Sequence, residues 1–295
     1  MEESTRGNTP AARTSALKTI IIIISTIAGY LGISRLGGTI LAHVAPGMNQ
    51  YAMMAVVAIP LMIFYGCMIL FVMKKKKVLT SKGNGIGEGL MAGMFMLVVS
   101  VLGSLNIFVI QEEGKMPHYG IPHDISFGVG SVWCLIGIAL SAGICEELMC
   151  RGIILNALRD CFGRDTTKGT MISVVISGFI FGCMHFVNLL AGVSFQTVLI
   201  QVVSVCGVGI YLGAVYCRCG NIKITMLLHF LMDAAVLVPQ SMRGTAALTD
   251  ALDETMNSPI KFITFFIYAG IGLFLMRKSM RPLMFSYSLE NDSES

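Results

Sequence analysis

Apolar residues in this 295-residue chain are gathered into long runs, and short polar segments separate one run from the next. A run of about 20 apolar residues is long enough to cross a bilayer as an α-helix. The pattern predicts spans over residues 20–33, 51–73, 90–110, 126 onward, 170–190, 194–216, 222–238 and 260–276. We therefore predict an all-α fold, a polytopic membrane helix bundle with about eight transmembrane helices.

The overall composition favours a membrane protein over a soluble domain. Apolar residues make up 55% of the chain, charged residues make up 13%, and the mean hydropathy is +0.75. Such values are typical of a chain whose main partner is the lipid bilayer. The net charge of +4 comes from residues in the loops, which orient the helices, and we expect no nucleic-acid partner.

Lysine and arginine are distributed unevenly between the two sides of the predicted bundle. With an even number of spans, 16 of the 21 lysines and arginines fall on one side, four fall on the other, and Arg151 lies within a span. Loops rich in these residues remain in the cytoplasm. We therefore expect a multi-pass integral membrane protein with both termini and the Lys74–Lys77 loop in the cytoplasm.

The polar segments also divide the chain into five predicted parts. A Gly-rich stretch with Arg35 and His43 follows the first span, and we expect it to lie on the far side of the membrane or to dip into it, with His43 in an interfacial loop. The parts are a disordered cytoplasmic leader (1–15), N-terminal membrane helices 1–3 (16–125), a helical core with the charged motifs (126–240), an extracytoplasmic loop and last helix (241–278), and a cytoplasmic tail (279–295).

Three charged residues stand inside the apolar run of the fourth span: Glu146, Glu147 and Arg151. Each charge costs roughly 2.5–3.5 kcal/mol at mid-membrane, even on lenient insertion scales. Glu147 and Arg151 are four residues apart, so they share a helix face and can pair. Glu146 is left without a local cation and is available for chemistry. The alternative is that all three are ordinary interfacial charges at a helix end.

Three more ionisable residues lie within later spans: His185, His229 and Asp233. Lipid offers polar groups no partners, so we expect these side chains to face the bundle interior and meet the glutamates. His229 and Asp233 are four residues apart, which would let the aspartate orient the imidazole or act beside it. Counted along each helix from the nearest cytoplasmic lysine or arginine, the glutamates and the two histidines reach the same depth in the membrane only under one condition. The fourth helix must continue well past Arg151 toward Arg159.

Carboxylates and imidazoles gathered in this way are suited to amide hydrolysis. The reaction needs a base for water, a group that stabilises the oxyanion and an acid for the leaving amine. His185, His229 and Glu146 could equally hold a zinc ion, whose bound water would do the same work. The chain lacks the H-E-x-x-H helix of common zinc proteases. We therefore favour a metal-independent mechanism with no cofactor and keep zinc as the alternative.

The order of these residues resembles that of a known family. The motifs are Glu146-Glu147-x-x-x-Arg151, Phe181-x-x-x-His185 and His229-x-x-x-Asp233. In this order they resemble the CAAX-protease and bacteriocin-processing (CPBP, Abi) family of intramembrane proteases. The shared domain of that family would cover residues 130–240, within the predicted core.

The resemblance implies a role for each motif residue. Glu146 would activate water with the help of His185, while His229 and Asp233 would stabilise the oxyanion. An ionised aspartate cannot donate a hydrogen bond, so Asp233 would have to be protonated or act by orienting His229. The supporting pair would be Glu147 with Arg151.

The function implied is that of an intramembrane endopeptidase that uses glutamate-activated water. Its substrate would be a membrane-associated protein or a small peptide, and family analogy suggests bacteriocin processing or immunity in the plasma membrane of a bacterium. One alternative is a membrane transporter, although the chain shows no internal repeat. Another is a non-catalytic immunity or scaffold protein, against which the intact polar motifs argue.

Overall fold

The computed structural model describes residues 13–80, 85–110, 116, 118–120, 125–244, 249, 252, 256 and 259–277. Within these residues the chain is almost entirely helical. The helices are α1 (Ala16–Val44), α2 (Gln50–Val72), α3 (Lys77–Thr80), α4 (Ile86–Ser104), α5 (Val129–Phe162), α6 (Thr167–Ala191), α7 (Phe195–Cys219), α8 (Ile222–Met242) and α9 (Phe262–Leu275). Two short antiparallel strands, β1 (Val109–Ile110) and β2 (His118–Tyr119), pair Val109 with Tyr119 and Ile110 with His118.

Seven of these helices are long and apolar enough to cross a membrane: α1, α2 and α4–α8. The predicted polytopic helical membrane bundle is therefore confirmed. The last predicted span corresponds to α9, which has 14 residues. At 1.5 Å per residue it is about 21 Å long, shorter than the roughly 30 Å hydrocarbon core of a bilayer. The predicted leader up to residue 12 and the predicted tail lie outside the described residues.

The prediction that His43 lies in an interfacial loop is wrong, because α1 continues as a helix through Arg35 and His43 to Val44. No proline lies within α1, and its last turns still carry exposed apolar side chains such as Leu36 and Ile40. Gly37 also lets α1 approach α2, since a Cβ atom there would lie 3.0 Å from a methyl group of Val57. The helix is therefore held by packing despite its glycines.

The third predicted span ends earlier than the apolar pattern suggests. Helix α4 stops at Ser104 and is followed by a 3₁₀ turn and strand β1. Arg243, just beyond α8, donates hydrogen bonds of 3.0 Å to the carbonyl oxygens of Ile107 and Val109. The guanidinium thus supplies the hydrogen-bond donors that backbone N–H groups of a longer helix would have provided to these carbonyl oxygens.

Helix α7 forms the centre of the bundle. In its most apolar window 89% of the residues are buried, whereas no other candidate span exceeds 39%. Glycines allow α6 to pack closely against it: a Cβ atom on Gly178 would lie 2.7 Å from the Ile210 nitrogen, and one on Gly209 would lie 2.8 Å from the Gly178 Cα. This close approach brings the backbone of α7 next to the side chains of α5.

Helix α5 continues past Arg151 to Phe162, as the depths of the polar residues required. Two π-helical segments interrupt its α-helical geometry, Ala139–Glu146 and Leu148–Leu155. The Asn156 side chain donates to the carbonyl oxygens of Arg151 (2.9 Å) and Gly152 (3.2 Å) and so supports the second segment. π-Helical turns are rare and occur frequently at functional sites. Here Glu146 is the last residue of the first segment, and Glu147 lies between the two segments.

Candidate active site

The pair of Glu147 and Arg151 anchors the site within α5. Arg151 Nη1 donates to Glu147 Oε1 at 2.8 Å, and both side chains are almost completely buried. Arg151 Nη2 donates to the carbonyl oxygen of Gly209 at 3.1 Å, which the close packing of α6 and α7 brings within reach. The i,i+4 pairing expected from the spacing is therefore present, and it is tied to α7. Removing either partner would leave an uncompensated buried charge.

His229 of α8 joins this pair through its Nδ1 atom. The distance from His229 Nδ1 to Glu147 Oε1 is 3.0 Å, so the same oxygen accepts from both Arg151 and His229. Since a carboxylate can only accept, the hydrogen bond fixes the imidazole proton on Nδ1. The partner that orients His229 is therefore Glu147, a contact between two helices that spacing within α8 could not indicate.

The other ring nitrogen of His229 faces two further carboxylates. Nε2 lies 3.7 Å from Asp233 Oδ2 and 4.0 Å from Glu146 Oε2. Asp233 thus stands beside the imidazole as its i,i+4 spacing predicts, but on the Nε2 side. Glu146 is 26% exposed and Asp233 is 28% exposed, while Glu147 is fully buried. The two accessible carboxylates are therefore the ones that a substrate or a water molecule can reach.

His185 lies at the end of the α-helical part of α6, where the helix tightens into a 3₁₀ turn. Its Nδ1 atom donates to the carbonyl oxygen of Phe181 at 3.1 Å, which leaves Nε2 available. No hydrogen bond or ion pair links it to another predicted site residue in the described part of the chain. The ring of Phe181 connects His185 to the other site residues, because it contacts both His185 and His229.

The structure thus gathers the predicted site residues into one cluster contributed by α5, α6 and α8. It holds three carboxylates and two imidazoles around a single permanent cation: Glu146, Glu147, Asp233, His185, His229 and Arg151. Roles for the Gly209 carbonyl and the Phe181 ring could not be predicted from the sequence. Both groups make contacts between separate helices, which local spacing does not indicate. The one hint in the sequence was that Phe181 is the first residue of the Phe181-x-x-x-His185 motif.

The donor types in this cluster also suit a divalent metal, because zinc binds imidazole nitrogens and carboxylate oxygens. His229 Nε2 and Glu146 Oε2, two donors of the alternative zinc set, lie 4.0 Å apart. Over the described residues, however, no group of three or more His, Cys, Asp or Glu side chains is arranged to hold a metal ion.

The arrangement provides what hydrolysis of an amide requires. An accessible carboxylate can accept a proton from water, an oriented imidazole can donate or accept one, and a second accessible carboxyl group stands beside it. A buried carboxylate that holds an imidazole in one tautomer is a recurrent feature of hydrolase sites. The cluster lies inside the bundle, so any reaction there would take place within the membrane region.

Comparison with known families finds a match over the part of the chain that contains the cluster. Residues 128–235 match the family described as type II CAAX prenyl endopeptidase Rce1-like. The matched residues include the whole cluster, whereas α1–α4 and α9 lie outside them. The match confirms the resemblance to the CAAX-protease family that the three motifs indicated. A comparison with curated proteins found no match.

Proposed function

We propose that this chain, Rce1-like over residues 128–235, is an intramembrane endopeptidase in which Glu146 activates water for attack on a peptide bond. The observation that carries the proposal is the contrast between the two neighbouring glutamates. Glu147 is buried and bonded to Arg151 and His229, whereas Glu146 is partly exposed and lies beside His229 Nε2. Glu146 is therefore the carboxylate that can approach both water and substrate.

His185 assists in positioning the water. With the Nδ1 proton donated to the Phe181 carbonyl, the neutral ring presents Nε2 as an acceptor. A water molecule held between this nitrogen and the Glu146 carboxylate would lose its proton to Glu146 as it attacks the substrate carbonyl. The proton is then available for the leaving amine, as general acid–base catalysis requires.

His229 and Asp233 act on the developing oxyanion. Glu147 fixes the Nδ1 proton and stabilises the imidazolium, so that Nε2–H can donate a hydrogen bond. Asp233 lies 3.7 Å from the same nitrogen and donates a second hydrogen bond in its protonated form. Donors placed in this way in a water-poor site are worth roughly 2.7–4 kcal/mol each in transition-state stabilisation. Metal-independent hydrolysis needs no further group.

A pair of peptides tests the function and the substrate class together. The first is a quenched fluorescent peptide that ends in a prenylated cysteine followed by three residues, and the second is the same peptide without the prenyl group. We expect the wild-type protein in liposomes to cleave at least one of them. Preferential cleavage of the prenylated peptide would identify a lipid-modified substrate class, whereas equal cleavage would indicate general peptide processing.

The decisive variant is Glu146→Gln, with Glu88→Gln in the first turn of α4 as the matched control. We expect Glu146→Gln to lower the rate by about 10²–10⁴-fold and Glu88→Gln to leave it unchanged. A wild-type protein that cleaves neither peptide would contradict the proposed activity and favour the transporter or scaffold alternatives. Cleavage by Glu146→Gln at the wild-type rate would contradict the assignment of the base.

A further inference from the structure

One aromatic ring lies between three charged or titratable side chains of the site. Phe181 is 1% exposed, and its ring centroid lies 4.9 Å from the Arg151 guanidinium carbon. The centroids of the His185 and His229 rings lie 5.2 Å and 5.6 Å from it, at interplanar angles of 89° and 86°. A single side chain therefore contacts the polar groups of α5, α6 and α8 at once.

These contacts depend on the electronic character of the ring as well as on its volume. An aromatic ring has a negative face and a positive edge, which favours edge-to-face pairs and attracts a cation to its face. The perpendicular imidazoles and the guanidinium over the ring match both preferences. A leucine would fill much of the same space but would lack this directional attraction.

Residue 181 also acts on each imidazole by a second route. Its carbonyl oxygen accepts the Nδ1 proton of His185, so the backbone fixes the tautomer while the ring fixes the plane. Its ring faces Arg151, which holds Glu147, and Glu147 holds His229 Nδ1. The two imidazoles therefore share one contact, the Phe181 ring, in addition to the hydrogen bond that each makes through Nδ1.

We propose that Phe181 is a positioning residue whose ring aligns His185 and His229 toward the site that they share with Glu146. Its effect on catalysis rests on the proposed function, but its effect on the two imidazoles does not. Ring quadrupole contacts of this kind are worth about 0.5–1.5 kcal/mol, which corresponds to a change of roughly two- to twelvefold in rate if the alignment is lost.

Fluorination of the ring tests the proposal without removing the side chain. Incorporation of 3,4,5-trifluorophenylalanine at position 181 keeps the shape nearly unchanged but weakens the negative face. We expect kcat for a probe peptide that the protein cleaves to fall about fivefold, with unchanged KM. The matched control is the same substitution at Phe179, which lies on the same helix and is 46% exposed, and it should change none of these values.

Imidazole resonances provide a readout that does not depend on activity. In protein labelled with ¹⁵N-histidine, fluorination at position 181 should shift the ring resonances of His185 and His229 and leave that of His43 unchanged. Unshifted resonances, or equal shifts from position 179, would overturn the proposal. So would an unchanged kcat in a protein that cleaves the probe. Shifted resonances in a protein that cleaves neither peptide would contradict the proposed function and support the alignment by Phe181.

Discussion

Two neighbouring glutamates in α5 have opposite surroundings, and in the proposed function this difference separates a supporting residue from a reactive one. Glu147 is fully buried and accepts from Arg151 and His229 through one oxygen. Glu146 is partly exposed, and its Oε2 atom lies 4.0 Å from His229 Nε2. Adjacent residues on a helix point in directions about 100° apart, so one α5 backbone can present both environments.

Replacing Glu147 should reduce stability more than replacing Glu146. Glu147→Ala leaves Arg151 buried without its carboxylate, which typically costs roughly 3–5 kcal/mol. Glu146→Ala removes a partly exposed carboxylate, and we expect the protein to remain folded but inactive. Thermal unfolding in detergent, with activity measured on the same samples, compares the two variants.

A double variant sharpens this comparison. Glu147→Leu with Arg151→Met removes both charges of the buried pair, and such apolar replacements are often neutral or stabilising. We expect the double variant to unfold near the wild-type temperature but to stay inactive, because His229 loses the group that orients it. Recovery of activity along with stability would show that Glu147 has no role beyond the ion pair.

Asp233 tests the proposed oxyanion contact. An asparagine at this position can donate a hydrogen bond without taking up a proton, so Asp233→Asn should retain activity within about tenfold of the wild type. Asp233→Ala removes the donor and should lower kcat by about 10²–10³-fold. Steady-state kinetics with a probe peptide that the wild-type protein cleaves measures kcat for both variants. If the alanine variant were as active as the asparagine variant, Asp233 would not contact the oxyanion.

At the scale of elements, the positions of the site groups depend on how closely α5, α6 and α7 approach one another. Gly178 and Gly209 form the contact between α6 and α7, and the Gly209 carbonyl accepts from Arg151. A side chain at either glycine would separate the helices and draw this carbonyl away. The packing of two helices thus sets the environment of a charge on a third.

Gly178→Ala should therefore destabilise the bundle. The added Cβ atom would lie 2.7 Å from the Ile210 backbone nitrogen, which cannot move aside as a flexible side chain can. We expect a loss of about 1–3 kcal/mol. The control is Gly270→Ala in α9, where the new Cβ atom would have no atom of another described helix within 4 Å and alanine is expected to stabilise the helix by roughly 0.5–1 kcal/mol. Equal unfolding temperatures for the two variants would contradict the packing argument.

Sequence periodicity predicted these elements better than it predicted the contacts between them. Apolar runs identified the membrane spans, and i,i+4 spacing identified the pair of Glu147 with Arg151 because both are properties of a single helix. The extension of α1 depends on packing against α2, and the hydrogen bond from His229 to Glu147 depends on how α8 lies against α5. Such relations between helices are not encoded in local spacing.

At the scale of the whole molecule, the uneven distribution of lysine and arginine makes a prediction about orientation. Thr80 and Tyr119 are exposed at opposite ends of the segment that contains α4. With Thr80→Cys or Tyr119→Cys in a background without the nine native cysteines, an impermeant thiol reagent added to intact cells should label position 119 and spare position 80. Labelling of position 80 alone would reverse the proposed topology.

The helices outside the Rce1-like region frame a site that lies wholly within it. Helices α1 and α2 pack against the core around α5, and α9 packs along α7. The chemistry proposed for residues 128–235 therefore takes place in an interior that the flanking helices help to enclose. Its central requirement is a single partly exposed glutamate that acts on water.

The most direct test is cleavage of a probe peptide in H₂¹⁸O by wild-type and Glu146→Gln proteins after treatment with a strong chelator. We predict that the chelated wild-type protein keeps its rate and places one ¹⁸O atom in the new carboxyl terminus, while the Glu146→Gln rate falls by about 10²–10⁴-fold. Loss of wild-type activity on chelation and its recovery with zinc would contradict the metal-independent mechanism. Wild-type rates from the Glu146→Gln protein would contradict the account at its centre.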